Sequence, residues 1–325
     1  MRYTIFGESH GPAIGVTLEG VPAGLALDLD FIRSELARRA PGQNAMTTAR
    51  KEADEPEILS GVFEGKTTGT PLCAVIFNTD TRSRDYAQLK NLPRPGHADY
   101  AGFVRYHGCN DYRGGGHFSG RLTAPLVFAG AVAKLILKEQ GVEVTSRISN
   151  VAGIADPTPE EMEAAILAAK ADLDSVGGRI ACAVTGLPAG LGSPDFGCNV
   201  EGIFSQYLFA VPAVKAVGFG LGTGFADLRG SQANDPFYMD GDTVRTRTNH
   251  AGGVNGGITN GMPVTFEVTI RPTPSIAKEQ DTVDLSTDAD ARLAVTGRHD
   301  PCIVPRAVPV IESAAALAAC EVLGI

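Results

Sequence analysis

The chain has 325 residues and a mass of 33.9 kDa, and its 43% apolar and 20% charged residues are the composition of an ordinary globular protein with length for a sizeable core. A net charge of −9 excludes a general nucleic-acid binder, because phosphate contacts need a basic surface. The longest apolar run, Ala124 to Ala133, is about half the length that spans a bilayer, and no leader-like segment precedes Gly7. The expectation is therefore a cytoplasmic protein with neither membrane nor nucleic acid as a partner.

In chain order, Ile14–Glu19 alternates as a strand and Asp30 is placed as the cap of a helix over Phe31–Ala40. Strands follow at Glu57–Phe63 and Leu72–Phe77. Thr123 is read as the cap of a helix that has Pro125 in its first turn and runs to Gln140 before Gly141. After a strand at Glu143–Ile148, Thr158-Pro159-Glu160-Glu161 forms a capping box for a helix reaching about Asp174. Strand Arg179–Val184, helix Glu201–Phe209, strands Val214–Phe219 and Val264–Ile270 and helix Glu312–Leu323 complete the series. Strands outnumber helices and do not alternate with them, which argues for a layered α+β fold, in one domain over residues 1–325, and against a doubly wound parallel sheet.

The chemistry is expected in the glycine-rich loops between these elements. Glycine makes up 39 of the 325 residues, or 12%, against roughly 7% on average. Arginines outnumber lysines 20 to 8, and Arg presents the planar fork that matches carboxylate and phosphate. Ser9 and His10 stand between Gly7 and Gly11, either as a structural turn or as a hydroxyl and a proton donor close to a ligand. Arg38 and Arg39 end a helix, as a solvated cap or, with Arg50, as an anion clamp. In Arg94-Pro95-Gly96-His97-Ala98-Asp99 a rigid turn holds an imidazole that Asp99 can orient. Gly114-Gly115-Gly116 precedes the helix at Thr123 and is read as an anion cradle, though it is neither a P-loop nor a dinucleotide fingerprint. Asn249 to Gly261 holds five glycines in thirteen residues and suits either a flat ligand or a packed loop core. His299, Asp300 and Cys302 lack zinc spacing, so no metal is expected, and Asp300 beside an Arg reads better as a base. The six cysteines include no CxxC and are read as reduced thiols.

Taken together these motifs resemble the chorismate synthase family. The residues that carry the resemblance are GESHG (7–11), RRAPGQNAMTTAR (38–50), ILSGVFEGKTTGTP (58–71), NTDTRSRDY (78–86), RPGHADY (94–100), DYRGGG (111–116), LPAGLG (187–192), RGSQ (229–232), NHAGGVNGGITNG (249–261) and GRHDPCIVPRAVPV (297–310). They lie in family order over nearly the whole chain.

The resemblance implies a β-α-β sandwich, with helices layered between antiparallel sheets, and usually a homotetramer. It implies loss of phosphate from 5-enolpyruvylshikimate 3-phosphate (EPSP) by 1,4-anti elimination, giving chorismate, with reduced FMN required although no net redox change occurs. It places His10 as the acid near the leaving phosphate, His97 by the flavin's pyrimidine edge, and Asp300 with Ser9 as the relay for the C6 proton. Arg39, Arg50 and Arg121 are implied as substrate contacts. His117, Phe118, Ser119, Gln232, Ala233, Asn249, Gly257, Arg271, Pro272, Thr273, Pro274, Ser275 and Arg298 are implied at the flavin. No segment of flavin-reductase size is visible, so an external FMN reductase or another reductant is expected.

The chain departs from the family after the triple glycine, where Arg-Ser-Ser-Ala-Arg-Glu is usual and His117-Phe118-Ser119-Gly120-Arg121-Leu122 stands here. Arg271 replaces a usual Lys. His117 thus puts a titratable group where a permanent cation is common, and binding is expected to weaken as pH rises through an ordinary imidazole range, roughly 6.5. The alternatives are a non-catalytic FMN-binding paralogue, a metal-assisted phosphatase and an interaction protein.

Overall fold

Two antiparallel sheets enclose a layer of helices in the computed structural model, which describes residues 1–42, 46, 52, 54–79, 88–297 and 299–325. The first sheet contains β1 (Arg2–Gly7), β2 (Ala13–Glu19), β3 (Glu57–Ser60) and β4 (Leu72–Phe77), in the order β1-β2-β4-β3. The second contains β5 (Glu143–Val151), β6 (Ile154–Ala155), β7 (Gly178–Thr185), β8 (Val214–Phe219) and β9 (Val264–Ile270), in the order β8-β9-β7-β5-β6. The helices are α1 (Leu29–Arg39), α2 (Asp99–Arg105), α3 (Thr123–Glu139), α4 (Pro159–Ala171), α5 (Val200–Phe209) and α6 (Val304–Val322). Helix α3 packs on α6 and the first sheet, and α6 packs on α1, α5 and the second sheet. This is the α+β sandwich with helices between antiparallel sheets that the sequence led us to expect.

A helix clamped between two sheets has no polar face to keep wet, so it is apolar all round. Helix α3 fits: Ala124, Val127, Ala129, Ala131, Val132 and Ala133 are fully buried. Gly120–Glu139 is also long and apolar enough to cross a membrane, but 78% of its apolar window lies inside the protein, where it forms the middle layer. Polar groups within this layer are paired. The Glu312 carboxylate on α6 accepts from Arg38 on α1 at 2.7 and 2.8 Å, from Lys134 on α3 at 2.7 Å and from Ser146 on β5 at 2.6 Å. Burial raises the pKa of Glu312, yet the bonds from Arg38 and Lys134 outweigh this and hold it at about 2.

Several helix starts differ from expectation. Asp28, not Asp30, caps α1 and accepts from the Phe31 amide at 2.9 Å. Thr123 is the first residue of α3 rather than its cap; the turn Gly120–Leu122 precedes it, and its hydroxyl donates to Gly120 O at 2.6 Å. Helix α6 begins at Val304, eight residues before Glu312. Pro305 falls in its first turn, where the missing N–H has no partner to lose, and Pro309 forfeits one bond inside a deeply packed helix. The capping box at Thr158 forms as expected, with Glu161 N 3.2 Å from the Thr158 hydroxyl and Thr158 N 2.9 Å from the Glu161 carboxylate.

Candidate active site

At one end of the sandwich β1, the C-terminus of α1, the N-termini of α3 and α6 and four loops border a cavity of about 720 Å³. That is the size of a site for a cofactor and a small substrate. The site's imidazoles reach it from glycine turns, and its guanidiniums come from helix ends and loops.

His10 and Ser9 leave β1 just after Gly7 and turn under the triple glycine. Gly114, Gly115 and Gly116 all have positive φ (60°, 84° and 55°), so this stretch cannot be the first turn of α3, and it wraps the two residues instead. A Cβ on Gly114 would sit 2.1 Å from His10 Nδ1 and 2.9 Å from Ser9 Oγ. Only glycine lets the backbone lie this close to both side chains. The anion cradle is therefore modified: the glycines shape the floor, and the separate turn Gly120–Leu122 brings the N-terminus of α3 to the cavity.

His97 is held from the opposite side. Its Nδ1 lies 2.6 Å from Asp99 Oδ1, and Asp99 accepts from Arg94 Nε at 2.7 Å, Arg94 Nη2 at 2.8 Å and the Arg94 amide at 3.0 Å. Arg94 Nη1 continues to Ser275 Oγ at 2.9 Å. Burial raises the pKa of Asp99, but the bonds from Arg94 and His97 hold it well below the ordinary carboxylate range.

The cations converge on carboxylates. Arg39 donates to Asp54 Oδ2 at 2.6 Å, Arg121 pairs with Asp54 Oδ1, and Arg121 Nε lies 3.1 Å from both Asn78 Oδ1 and Glu52 Oε2. Burial lowers the pKa of both guanidiniums, and Asp54 opposes that shift. Asp300 is paired with Arg306 Nη1, as its place beside an Arg suggested. Desolvation lowers the pKa of His299 and raises that of the Cys302 thiol to about 11. Among the described residues no three His, Cys, Asp or Glu side chains are grouped to hold a metal ion.

Three buried polar atoms here, Ser9 Oγ, Arg121 Nη2 and Thr273 Oγ1, have no hydrogen-bond partner among the described residues. Buried polar atoms are normally satisfied, so these fit groups of a bound molecule.

Of the residues singled out from sequence, His10, His97, Asp300, Arg39, Arg121, His117, Phe118, Ser119, Arg271, Thr273, Pro274 and Ser275 all border this cavity. Ser9 stands behind His10. Gln232, Ala233, Asn249, Gly257 and Pro272 do not border it. Arg50 and Arg298 lie outside the described residues. Residues 249–261 form a packed loop core: a Cβ on Gly253 would meet Pro263 O at 2.4 Å, and one on Gly257 would meet Asn199 Cβ at 2.6 Å. Sequence reasoning gave no role to Tyr3, Glu52, Lys215 or His299, which also border the cavity, or to Asp54 behind them. The alternation of Tyr3 and Ile5 in β1 was a usable signal for one of these; Glu52 and Asp54 carried none.

The chain is similar to known proteins over nearly its whole length. A sequence model described as chorismate synthase matches residues 1–323. A chorismate synthase from Dehalococcoides mccartyi is 45% identical over 96% of this chain and 92% of its own length. One from Thermococcus kodakarensis is 46% identical over 97% of this chain and 94% of its own. A crystal structure of chorismate synthase superposes with a TM-score of 0.74 at 27% identity, covering 99% of this chain and 91% of that one. With sequence and fold matched from end to end, the chain belongs to the chorismate synthase family.

Proposed function

We propose that this chain converts EPSP to chorismate and inorganic phosphate with reduced FMN as cofactor. The supporting observation is that His10, His97 and Asp300, far apart in sequence, border one cavity together with Arg39, Arg121 and Arg271. In the elimination the C3–O bond breaks, its electron pair leaves with phosphate, and the C6 hydrogen departs as a proton while a new double bond forms. Reduced FMN, when bound, supplies transient electron density that weakens the C–O bond and is left unchanged overall.

The donor set fits both molecules. EPSP carries two carboxylates and a phosphate, which call for several forked cations, and Arg39 and Arg121 supply them once the substrate competes with Asp54. His10 protonates the leaving phosphate, and Asp300, held by Arg306, takes up the C6 proton with Ser9 beside the path. His117, Phe118, Ser119, Arg271, Thr273, Pro274 and Ser275 hold the flavin, and Ser9 Oγ and Thr273 Oγ1 are the buried hydroxyls such a ligand satisfies. Gln232 and Ala233, which do not border this cavity, meet the flavin from a neighbouring subunit of a homotetramer. Reductant comes from an external FMN reductase or another donor, in a cytoplasmic setting.

The test is an anaerobic assay with EPSP and dithionite-reduced FMN, following chorismate by its ultraviolet absorbance. Product from the wild type and roughly a hundredfold less from Asp300→Asn is the expected result. FMN binding without product overturns the proposal in favour of a non-catalytic paralogue.

A further inference from the structure

His97 meets two side chains on its own loop and the start of α2. Its Nδ1 lies 2.6 Å from Asp99 Oδ1, while Arg94 Nη2 lies 3.0 Å from Nδ1 and 3.3 Å from Nε2. From the glycine turn, the Gly115 backbone covers the far edge of the ring, where a Cβ would sit 3.3 Å from both Cε1 and Nε2. From the remaining elements, Arg271 lies against Gly96, and His299 is close enough to feel the charge of Arg94.

A carboxylate can only accept, so the proton of the neutral ring belongs on Nδ1, and Nε2 keeps its lone pair. Arg94 Nη2 can only donate, which also leaves the ring nitrogen that carries no proton as the acceptor on this side. Arg94 grips the carboxylate through Nε, Nη2 and its own amide, so Asp99 cannot rotate away.

We propose that Asp99 is a positioning residue: clamped by Arg94, it holds His97 as the Nδ1–H tautomer and leaves Nε2 as the atom that receives or returns a proton in the cavity. This rests on the reading of His97 as a residue of the reaction site. The depressed pKa of Asp99 agrees with a carboxylate that stays charged throughout.

The test is ¹⁵N NMR of the full chain with labelled histidine, in the absence of cofactor and substrate, with His97 assigned by its loss in His97→Gln. The wild type is expected to show the Nδ1–H tautomer at high pH. In Asp99→Asn an amide N–H can face Nδ1, so the Nδ1–H population at high pH is expected to fall several-fold, whereas Asp99→Glu retains it. An Nε2–H tautomer in the wild type overturns the proposal without any variant, as does an unchanged tautomer ratio in Asp99→Asn. Because these readings need no turnover, failure of the assay for chorismate leaves them standing and is told apart from failure of this inference.

Discussion

Residues 111–121 and 249–261 are both glycine-rich loops, yet they do different work. In the first, Gly114 and Gly115, both with positive φ, press backbone against Ser9, His10 and His97, so their missing Cβ atoms leave room for side chains of the site, while Gly116 lies against Asp111 O. In the second, the missing Cβ atoms leave room for other backbone, at Pro263 O near Gly253 and at Ser193 O near Gly257. Glycine density thus marks close approach, and the neighbour that approaches decides between ligand site and scaffold.

The largest expected effect concerns the helical layer beneath the site. Glu312→Gln removes a buried carboxylate that faces Lys134 and Arg38 while Glu35 stays paired with both, and about 3 kcal/mol of stability should be lost at pH 7. The folded pKa of Glu312, about 2, lies below the ordinary 4.5, so the wild-type advantage is present above pH 4.5 and is lost as pH falls towards 2. Denaturant melts from pH 7 to 2 should show the gap closing; a constant gap breaks the claim that Glu312 is the charged keystone of this layer.

Gly114→Ala addresses the first loop directly. A Cβ 2.1 Å from His10 Nδ1 must displace the imidazole, and a misplacement of about 1 Å costs roughly a hundredfold in kcat. Wild-type kcat in this variant removes the distinction between the loops. Gly253→Ala is the counterpart: strain at φ 80° and contact with Pro263 O should cost about 1–3 kcal/mol, read as a lowered Tm, with kcat/KM unchanged at a temperature where the chain is folded. Lost FMN affinity at unchanged Tm instead moves this loop to the cofactor.

The smallest effect is expected at His117, whose Nδ1 donates to Gly7 O at 2.9 Å at the edge of the cavity. His117→Arg should change FMN affinity only a few-fold and flatten its dependence on pH between about 5.5 and 8. Isothermal titration at three pH values measures this, and a wild type already flat over that range rejects a charge role for His117.

Much of the architecture was legible from local rules. Alternating apolar residues located β2, β4, β8 and β9, and the Thr158 capping box located α4. Helix α6 starts eight residues before the expected Glu312, with Pro305 in its first turn and Pro309 carried by burial of the whole helix. The Asp99–His97 pair was legible because both residues share one turn. The pairing of Arg39 and Arg121 with Asp54 was not, because it joins the end of α1, the segment before β3 and the turn before α3.

By itself, then, the sequence determined the main secondary-structure periods, the Thr158 capping box and the set of motifs that identify the family, since each depends on neighbours within a few residues. Tertiary structure alone decided which glycine loop faces the cavity, which carboxylate meets which arginine and which buried polar atoms are left for a ligand. Those outcomes depend on distances between residues as far apart as Ser9, Gly114 and Asp300, and such distances exist only once both sheets have closed on the helical layer.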